Sequence, residues 1–401
     1  MIQYTDALEI VKNEFLNLKP LKEKINILDS LNRILAENIF SDTPQPLFTN
    51  SAMDGYAVKY CKGVSEWKII GEISAGNFKN YIPAANEAVM IMTGSRMPDK
   101  ADSVLPIEHV IINENEIMLN NGYALNKYQY VRRSGEDIYK GEKVLSIGQI
   151  IHANHIQLAA SCGKNSFKVF SKLKTGVLST GNELIEISRK PNGDKIRASN
   201  LYSLMAAAIE SGFTPVNLGV IKDDKPVLKR KINNALNTDI DILLTSGGVS
   251  EGKYDYLPDI YNELGVKTLF HKVNIKPGKP LLFGVFNKKG KKVLIFGLPG
   301  NPVSCYVNFI LFVRDIYYST KLRDSLFNVN AVLVNDVKKN DNKRHFITGI
   351  LKEIGGVNYA EVSGSQSSAN SFGLSNANVL VEFPENINEL KEGSIVECIK
   401  I

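Results

Sequence analysis

The chain has 401 residues, a net charge of +6 and a hydrophobic content of 44%. This length predicts roughly two to four domains, and the composition excludes a disordered or fibrous chain. The lysines and arginines form no block of the kind that marks a nucleic-acid-binding arm. We therefore expect no nucleic-acid partner, and the mild positive charge suits a small anionic ligand.

Cysteine usage and the amino-terminal residues bear on the compartment. The cysteines lie far apart and form no Cys-x-x-Cys pair, which is typical of a reducing environment. The first residues contain no basic stretch followed by an apolar core, so no signal peptide is predicted. The most apolar helical segment, near residues 303–313, is too short to span a bilayer. These observations predict a cytoplasmic enzyme or binding protein with no membrane partner.

The amino-terminal part of the chain has helical and then β-type patterns. Thr5 is expected to cap a first helix that Pro20 interrupts, and a second helical pattern runs from Ile27 to Phe40. Residues 50–140 contain short alternating apolar runs separated by Gly, Pro and Asn, which predict a β-rich domain. A further helix is expected around residues 150–162, ending at Gly163.

From about residue 173, strands and helices alternate. This rhythm predicts a doubly wound, mostly parallel sheet with helices on both faces. Asn200 and Asn301 are expected to cap the first and last helices of this region. The expected strands are residues 175–179, 215–221, 240–245 and 292–296, and the expected helices are residues 201–211, 226–236, 256–264 and 302–318. Residues 326–401 return to short strands and predict a small all-β domain.

Three glycine loops each follow a predicted buried strand, at residues 179–183, 245–250 and 297–302. Ligands of an open α/β sheet bind beyond the carboxyl ends of its strands. Glycine lets backbone N–H groups approach an anion there, commonly where a helix begins. The three loops therefore predict one pocket for a phosphate-bearing ligand.

Each of these motifs also has a simpler interpretation. Residues 247–253 partly match a P-loop, but Tyr254 stands where that motif needs a magnesium-binding hydroxyl, so a strict P-loop is disfavoured. A plain strand-to-helix turn and good helix capping are the alternatives for the second and third loops. Lys272, Lys276 and Lys279 could form a solvated basic turn, although the neighbouring prolines fix its shape and lysine binds phosphate or oxyanions as a point charge.

Carboxylates recur beside glycine turns and in predicted loops. Singly, each is more often a turn former or a cap, but together with lysines they predict Mg²⁺ held between carboxylates and substrate phosphates. The candidates are Asp54, Asp137, Glu183, Asp223, Asp224 and Asp255. His152 and His155 have no third ligand nearby, so the start of a surface helix is preferred over a zinc site.

Seven segments, in order from near the amino terminus to the carboxyl-terminal region, resemble the molybdopterin molybdenumtransferase family, the bacterial counterparts of the gephyrin E domain. They are residues 50–58 (NSAMDGYAV), 92–95 (MTGS), 134–138 (SGEDI), 178–184 (LSTGNEL), 245–250 (TSGGVS), 275–280 (IKPGKP) and 297–304 (GLPGNPVS). The resemblance implies four domains and an elongated homodimer. The domains are a discontinuous helical one (1–45 plus 140–172), a β-rich insertion (46–139), an α/β domain resembling molybdopterin adenylyltransferase (173–325) and a β-barrel (326–401).

The resemblance also implies a reaction in which adenylylated molybdopterin and molybdate give molybdenum cofactor and AMP, with Mg²⁺ as the assisting cation. Expected partners besides a second copy are molybdopterin adenylyltransferase and proteins that mature molybdoenzymes. By motif match, Asp54, Glu183 and Asp137 are the expected catalytic residues, and Glu183, Asp223 and Asp255 the expected metal ligands. The residues expected to bind the substrate are Thr93, Ser179, Thr180, Gly181, Gly247, Gly248, Ser250, Lys272, Lys276, Pro299, Gly300, Asn301 and Arg344.

The resemblance leaves some points open. Arg344, Ser365 and Ser371 are expected to close the cleft from the carboxyl-terminal domain against the partner subunit. Asn182 stands where the family often has Asp, and residues 251–255 vary the usual loop. Two other functions compete: an adenylyltransferase that acts one step earlier and consumes ATP, and a non-catalytic scaffold of the gephyrin kind.

Overall fold

The computed structural model describes residues 1–18, 21–249, 255–288, 290–322, 326–362 and 364–401. The chain forms two compact units. The larger unit comprises Met1–Glu23, Asn32–Ile34 and Phe170–Ile401, and the smaller unit comprises Lys24–Leu31 and Leu35–Val169. The division into four domains stays a prediction. Within the described residues, no helix combines the length and apolar character needed to cross a membrane.

The smaller unit is built on a six-stranded sheet. Along it the strands run in the order Ser103–Pro106, Gly55–Val58, Glu87–Ile91, Glu66–Ile73, Glu116–Leu119 and Val110–Asn113. Successive side chains of a strand point to opposite faces, so Tyr56 and Val58 pack in one apolar cluster and Ala57 in another. The predicted β-rich insertion is thus a sheet with apolar residues on both faces. Short strands are Ile39–Phe40, Asn50–Ser51, Val131–Arg132 and Lys143–Leu145.

The helical prediction for residues 27–40 is wrong. The structure has a 3₁₀ turn, Leu28–Ser30, and the short strand Ile39–Phe40. Asn32 adopts the left-handed conformation with φ of 61°, which a continuing right-handed helix does not permit. The later helix is present as Ala153–Ser161. Each of two strands, Lys22–Asn26 and Ser166–Phe170, contains residues assigned to both units.

The α/β sheet of the larger unit confirms the mostly parallel prediction. Its strands run in the order Thr214–Ile221, Lys174–Thr180, Ile242–Ser246, Lys291–Leu298, Leu282–Lys288 and Lys267–His271. The first four are parallel, Leu282–Lys288 is antiparallel to both of its neighbours, and Lys267–His271 therefore runs in the same direction as the first four. Short strands Leu184–Ile185 and Ile196–Arg197 pair beside it.

Helices cover both faces of this sheet. Lys225–Leu236 and Leu257–Glu263 bury apolar residues against one face, and Ser199–Glu210 and Pro302–Phe309 pack on the other. The amino-terminal helix, Tyr4–Leu16, has Gln3 at its N-cap, so Thr5 lies in its first turn and the predicted cap is two positions too late. This helix buries Ala7, Val11 and Phe15 at helical spacing.

The helix that begins at Pro302 changes its winding midway. Pro302–Phe309 is α-helical, Ile310–Arg314 is a π-helical segment, and Asp315–Ser319 is again α-helical. At the last residue of the segment, the Arg314 guanidinium donates to the Lys400 carbonyl at 2.7 Å and lies over the Phe327 ring at 3.8 Å. The segment therefore leads from the sheet-covering helix to contacts with the carboxyl-terminal residues.

The carboxyl-terminal region is a closed five-stranded barrel. Its strands follow one another as Arg344–Ile354, Val357–Glu361, Asn328–Leu333, Ile395–Lys400 and Val379–Phe383, which pairs back to the first. Alternating residues such as Val379, Val381 and Phe383 fill the interior. Further short elements are Ile275–Lys276, Val337–Lys338, Glu389–Leu390 and the helix Ser371–Ser375. The predicted multidomain α/β and β fold class is confirmed.

Candidate active site

The three glycine loops converge at the carboxyl edge of the α/β sheet. Lys174–Thr180, Ile242–Ser246 and Lys291–Leu298 are adjacent parallel strands, so the loops that follow them open on one side. There they enclose a cavity of about 650 Å³, within the range of small-molecule sites. Predicted residues that line it are Ser179, Thr180, Gly181, Glu183, Asp223, Gly247, Gly248, Asp255, Pro299, Gly300 and Asn301.

Gly247 fixes the shape of the second loop. Its φ is +87°, and a Cβ atom on it would lie 2.4 Å from the Thr180 carbonyl oxygen. Its N–H donates to the Leu298 carbonyl at 3.0 Å. Only glycine satisfies both constraints, and the contacts tie this loop to its neighbours on both sides.

Asp223 is held by the first loop. The Thr180 hydroxyl donates to its Oδ1 at 2.5 Å, and the Asn182 N–H donates to its Oδ2 at 3.0 Å. In return the Asn182 side-chain oxygen accepts from the Asp223 N–H at 3.2 Å. Asn182, the departure from the family pattern, therefore orients a carboxylate at the cavity wall.

The Glu183 carboxylate folds back over Gly181. A Cβ atom at Gly181 would lie 2.6 Å from either carboxylate oxygen, so the glycine leaves the room that the carboxylate occupies. The pair-forming strands Leu184–Ile185 and Ile196–Arg197 follow on the same side. Glu183 is thereby placed at the cavity by local backbone geometry.

The carboxylates suit a divalent cation whose coordination is completed by the bound substrate. Within the described residues, no three His, Cys, Asp or Glu side chains lie close enough to bind a metal by themselves. Glu183, Asp223 and Asp255 nevertheless line one cavity. Mg²⁺ commonly takes one or two carboxylates together with substrate phosphates, so these hard oxygen donors fit it.

The two predicted asparagine caps have other roles. Ser199–Glu210 begins before Asn200, whose amide donates to the Gly300 carbonyl at 2.7 Å. Asn301 does occupy the N-cap position of Pro302–Phe309, but its side chain makes no cap bond and donates to the Ser368 hydroxyl at 3.0 Å. Both side chains therefore brace the third loop.

Sequence reasoning missed the contribution of residues 368–369. The Ser368 carbonyl accepts from the Val303 N–H at 3.0 Å, and Ala369 lines the cavity. Arg197 and Pro280 also line it. A run of small polar residues at 364–371 was the available signal, although its partner, the start of the helix Pro302–Phe309, could not be inferred from it.

The predicted lysines lie outside this cavity. Lys276 follows Ile275 in a short strand, and its ammonium is 3.5 Å from Asp341 Oδ2. It lines a separate depression of about 40 Å³ with Ser365. Lys272 has a left-handed backbone, with φ of 74°. Neither Lys272 nor Lys276 lines the cavity, so their contact with substrate stays a prediction.

Arg344 does not line the cavity either. Its guanidinium donates to Glu385 at 2.6 Å and to Glu382 at 2.9 Å, and lies over the Tyr4 ring. These two carboxylates already compensate its charge. Ser371 begins the helix Ser371–Ser375 and likewise stays outside.

The remaining candidates belong to the smaller unit. The Asp54 carboxylate accepts from the Thr93 N–H at 2.6 Å and from the Thr93 hydroxyl at 2.8 Å. These hydrogen bonds lower the pKa of Asp54, so the exposed carboxylate stays ionised. Asp137 forms an ion pair with Arg132. His152 and His155 do stand at the start of a helix, where the His155 ring accepts from the His152 N–H.

Two expectations lie outside the described residues. Ser250 was expected to bind substrate, and Tyr254 was the residue that disfavoured a P-loop.

Three family descriptions match the chain. The "MoeA N-terminal region (domain I and II)" matches residues 2–163, the "Probable molybdopterin binding domain" matches residues 176–318, and the "MoeA C-terminal region (domain IV)" matches residues 330–401. Together they cover most of the sequence in one order.

Similar proteins agree with these matches. A molybdopterin molybdenumtransferase of Bacillus subtilis is 32% identical, over 94% of this chain and 90% of its own length. One from Synechocystis sp. is 34% identical, over 79% and 82%. The crystal structure of a molybdopterin biosynthesis MoeA protein from Pyrococcus horikoshii has a TM-score of 0.82 and 31% identity, covering 100% of this chain and 99% of that one.

Proposed function

The chain belongs to the molybdopterin molybdenumtransferase family and is an enzyme of molybdenum cofactor biosynthesis, and we propose that it converts adenylylated molybdopterin and molybdate into molybdenum cofactor and AMP. In this reaction the phosphoanhydride bond of the adenylylated pterin is cleaved, AMP leaves, and molybdenum is bound by the dithiolene sulfurs. Those sulfurs come from the substrate, so the protein needs no cysteine nucleophile.

The observation that carries the proposal is the convergence of three glycine loops and three carboxylates on one cavity. Backbone N–H groups at helix starts suit the pyrophosphate, and Pro302–Phe309 begins at this wall. The cavity, at about 650 Å³, has room for a pterin or a nucleotide with its phosphates.

The carboxylates that line the cavity would bind the metal ion. Glu183, Asp223 and Asp255 would hold Mg²⁺, which when bound neutralises charge that develops on phosphate oxygens. Asn182 and Thr180 keep the Asp223 carboxylate oriented. Asp54, kept ionised by Thr93, is proposed as a second catalytic carboxylate, with Asp137 as a further candidate.

The remaining proposals concern binding and assembly. Lys272, Lys276 and Arg344 are proposed to contact molybdate or phosphate, which requires Arg344 to exchange Glu382 and Glu385 for substrate. A homodimer in the cytoplasm is proposed from the resemblance. Sedimentation of the purified protein would test the dimer directly.

The test is AMP release from purified protein given adenylylated molybdopterin, molybdate and Mg²⁺. Glu183→Gln and Asp223→Asn should lower molybdate-dependent AMP release by about 100-fold or more, whereas the control Asp259→Asn, an exposed residue of Leu257–Glu263, should match the unmodified protein. ATP consumption with molybdopterin would instead indicate an adenylyltransferase. A folded protein without either activity would indicate a scaffold.

A further inference from the structure

A second cavity lies at the opposite edge of the α/β sheet. The cavity described above follows the carboxyl ends of Lys174–Thr180, Ile242–Ser246 and Lys291–Leu298, whereas Leu173, Asp241 and Lys291 at the amino ends line a cavity of about 300 Å³. At about 3.3 Å per residue, strands of this length separate the two cavities by roughly 15–25 Å. The second cavity is therefore no part of the proposed reaction site.

The wall of this cavity is largely aromatic and aliphatic. The rings of Phe15, Phe170 and Tyr317 line it together with Leu18 and Leu173. Phe15 and Tyr317 are buried, so their positions are fixed by the surrounding core. Such walls favour a flat apolar body.

Lys321 brings a half-buried ammonium group to this apolar wall. Its Nζ lies 5.2 Å from the centre of the Phe170 ring and 5.9 Å from that of Tyr317. Among the described residues, no carboxylate pairs with it. Burial lowers the pKa of this lysine.

The other charges at the cavity are mostly compensated. Lys291 pairs with Asp239, which also pairs with Lys174, and Lys292 pairs with Glu14. Asp241 accepts the Lys174 N–H at 2.8 Å. Of the lining lysines that the structure describes, Lys321 and the exposed Lys172 have no ion pair, so the cavity has cationic groups left for an anion.

We propose that this second cavity binds a small planar aromatic carboxylate, whose ring packs against Phe15, Phe170 and Tyr317 and whose carboxylate pairs with Lys321. The volume limits the ligand to about the size of one or two fused rings. The site is independent of the molybdenum-transfer proposal because none of its residues lines the first cavity.

Calorimetric titration with 2-naphthoate and its neutral isostere 2-naphthamide tests the proposal. The full-length protein should bind 2-naphthoate with a Kd of about 1 mM or below and 2-naphthamide at least about tenfold more weakly. Lys321→Met, which keeps the aliphatic stem, should weaken naphthoate binding about tenfold. Lys321→Arg should retain it, and Lys267→Met, a control at an exposed lysine of the strand Lys267–His271, should bind as the unmodified protein does.

Several outcomes would overturn the proposal: no saturable binding of naphthoate at about 10 mM, equal binding of acid and amide, or unchanged binding by Lys321→Met. Circular dichroism establishes that each variant is folded. If Lys321→Met does not fold, the acid–amide comparison and Lys321→Arg decide the question. Because binding is measured directly, a failed AMP assay leaves this result intact.

Discussion

The carboxylate of Asp54 accepts two hydrogen bonds from a single residue, Thr93, through its backbone N–H and its hydroxyl. Both hydrogen-bond donors of Thr93, a predicted substrate-binding residue, are used on Asp54. We infer that Thr93 positions this proposed catalytic carboxylate and favours its ionised form; its contact with substrate stays a prediction.

Replacing Thr93 should shift the pH dependence of activity. Thr93→Val removes the hydroxyl donor and keeps the branched shape, so the pKa of Asp54 should rise and the acid limb of AMP release should move to higher pH. Thr93→Ser keeps the donor and should leave the limb in place. Identical profiles for the two variants would contradict this role.

Gly247→Ala should abolish activity through backbone geometry. The added methyl would meet the Thr180 carbonyl at 2.4 Å, in addition to the strain of φ at +87°. Gly265→Ala is the matched control, because its φ is +80° with no atom within 4 Å of the new Cβ. We expect the control to lose about 1–2 kcal/mol of stability from the dihedral alone and to retain AMP release, which Gly247→Ala should lose.

Thr245 and Tyr261 should be energetically coupled. Their hydroxyls lie 2.9 Å apart and both residues are fully buried. Thr245→Val or Tyr261→Phe leaves one buried hydroxyl without its partner, which should cost about 1–3 kcal/mol. The double variant should cost less than the sum of the two, and chemical unfolding of all four proteins measures the difference. Simple additivity would show that the bond contributes nothing specific.

Loss of the proton from Asp315 should lower the free energy of unfolding as pH rises. Burial raises its pKa to about 6, against the opposing effect of Arg314. The folded state therefore holds this proton more tightly than the unfolded state. The stabilisation by this proton is fully present below the pKa of Asp315 in the unfolded state, near 3.8. It is lost as pH rises through about 6, the pKa in the folded state.

The variant Asp315→Asn removes this titration. Between pH 4 and 6.5, the unfolding free energy of the unmodified protein should fall relative to that of the variant, by up to about 3 kcal/mol. Denaturant titrations at several pH values measure this difference. The exposed Asp259→Asn should show no comparable trend, and an Asp315→Asn curve parallel to that of the unmodified protein would refute the assignment.

The sequence was sufficient where the pattern is local. Alternating strands and helices predicted the parallel sheet, and parallel strand ends predicted that the three glycine loops would share one pocket. That Glu183 and Asp223 line the same pocket was expected from the resemblance and could not be derived from spacing. It failed where a side chain finds a distant partner. Asn200 bonds Gly300 and Asn301 bonds Ser368, so local capping rules gave them the wrong partners.

The wrong helix at residues 27–40 and the ion pairs of Arg344 show the same limit of local patterns. The apolar spacing of residues 27–40 is typical of a helix. Asn32, however, adopts a left-handed backbone conformation, and the spacing of apolar residues carries no information about that conformation. The resemblance predicts that Arg344 closes the cleft against the partner subunit, and this stays a prediction. Its ion pairs with Glu382 and Glu385 could not be foreseen, because barrel formation places these residues beside it and only the strand register reveals that.

The π-helical segment Ile310–Arg314 determines how the residues after it are rotated about the helix axis relative to Pro302–Phe309. Each residue of an α-helix turns it by about 100°, and a π segment accommodates one residue beyond the α-helical repeat. Deleting one residue there would allow regular winding, leave Pro302–Phe309 against the sheet, and rotate everything beyond it by about a quarter turn or more. Arg314 would then point away from Lys400. In this helix the one additional residue of the π segment lets Pro302–Phe309 pack on the sheet while Arg314 faces Lys400. The length of the segment therefore matters more than the identity of its apolar residues.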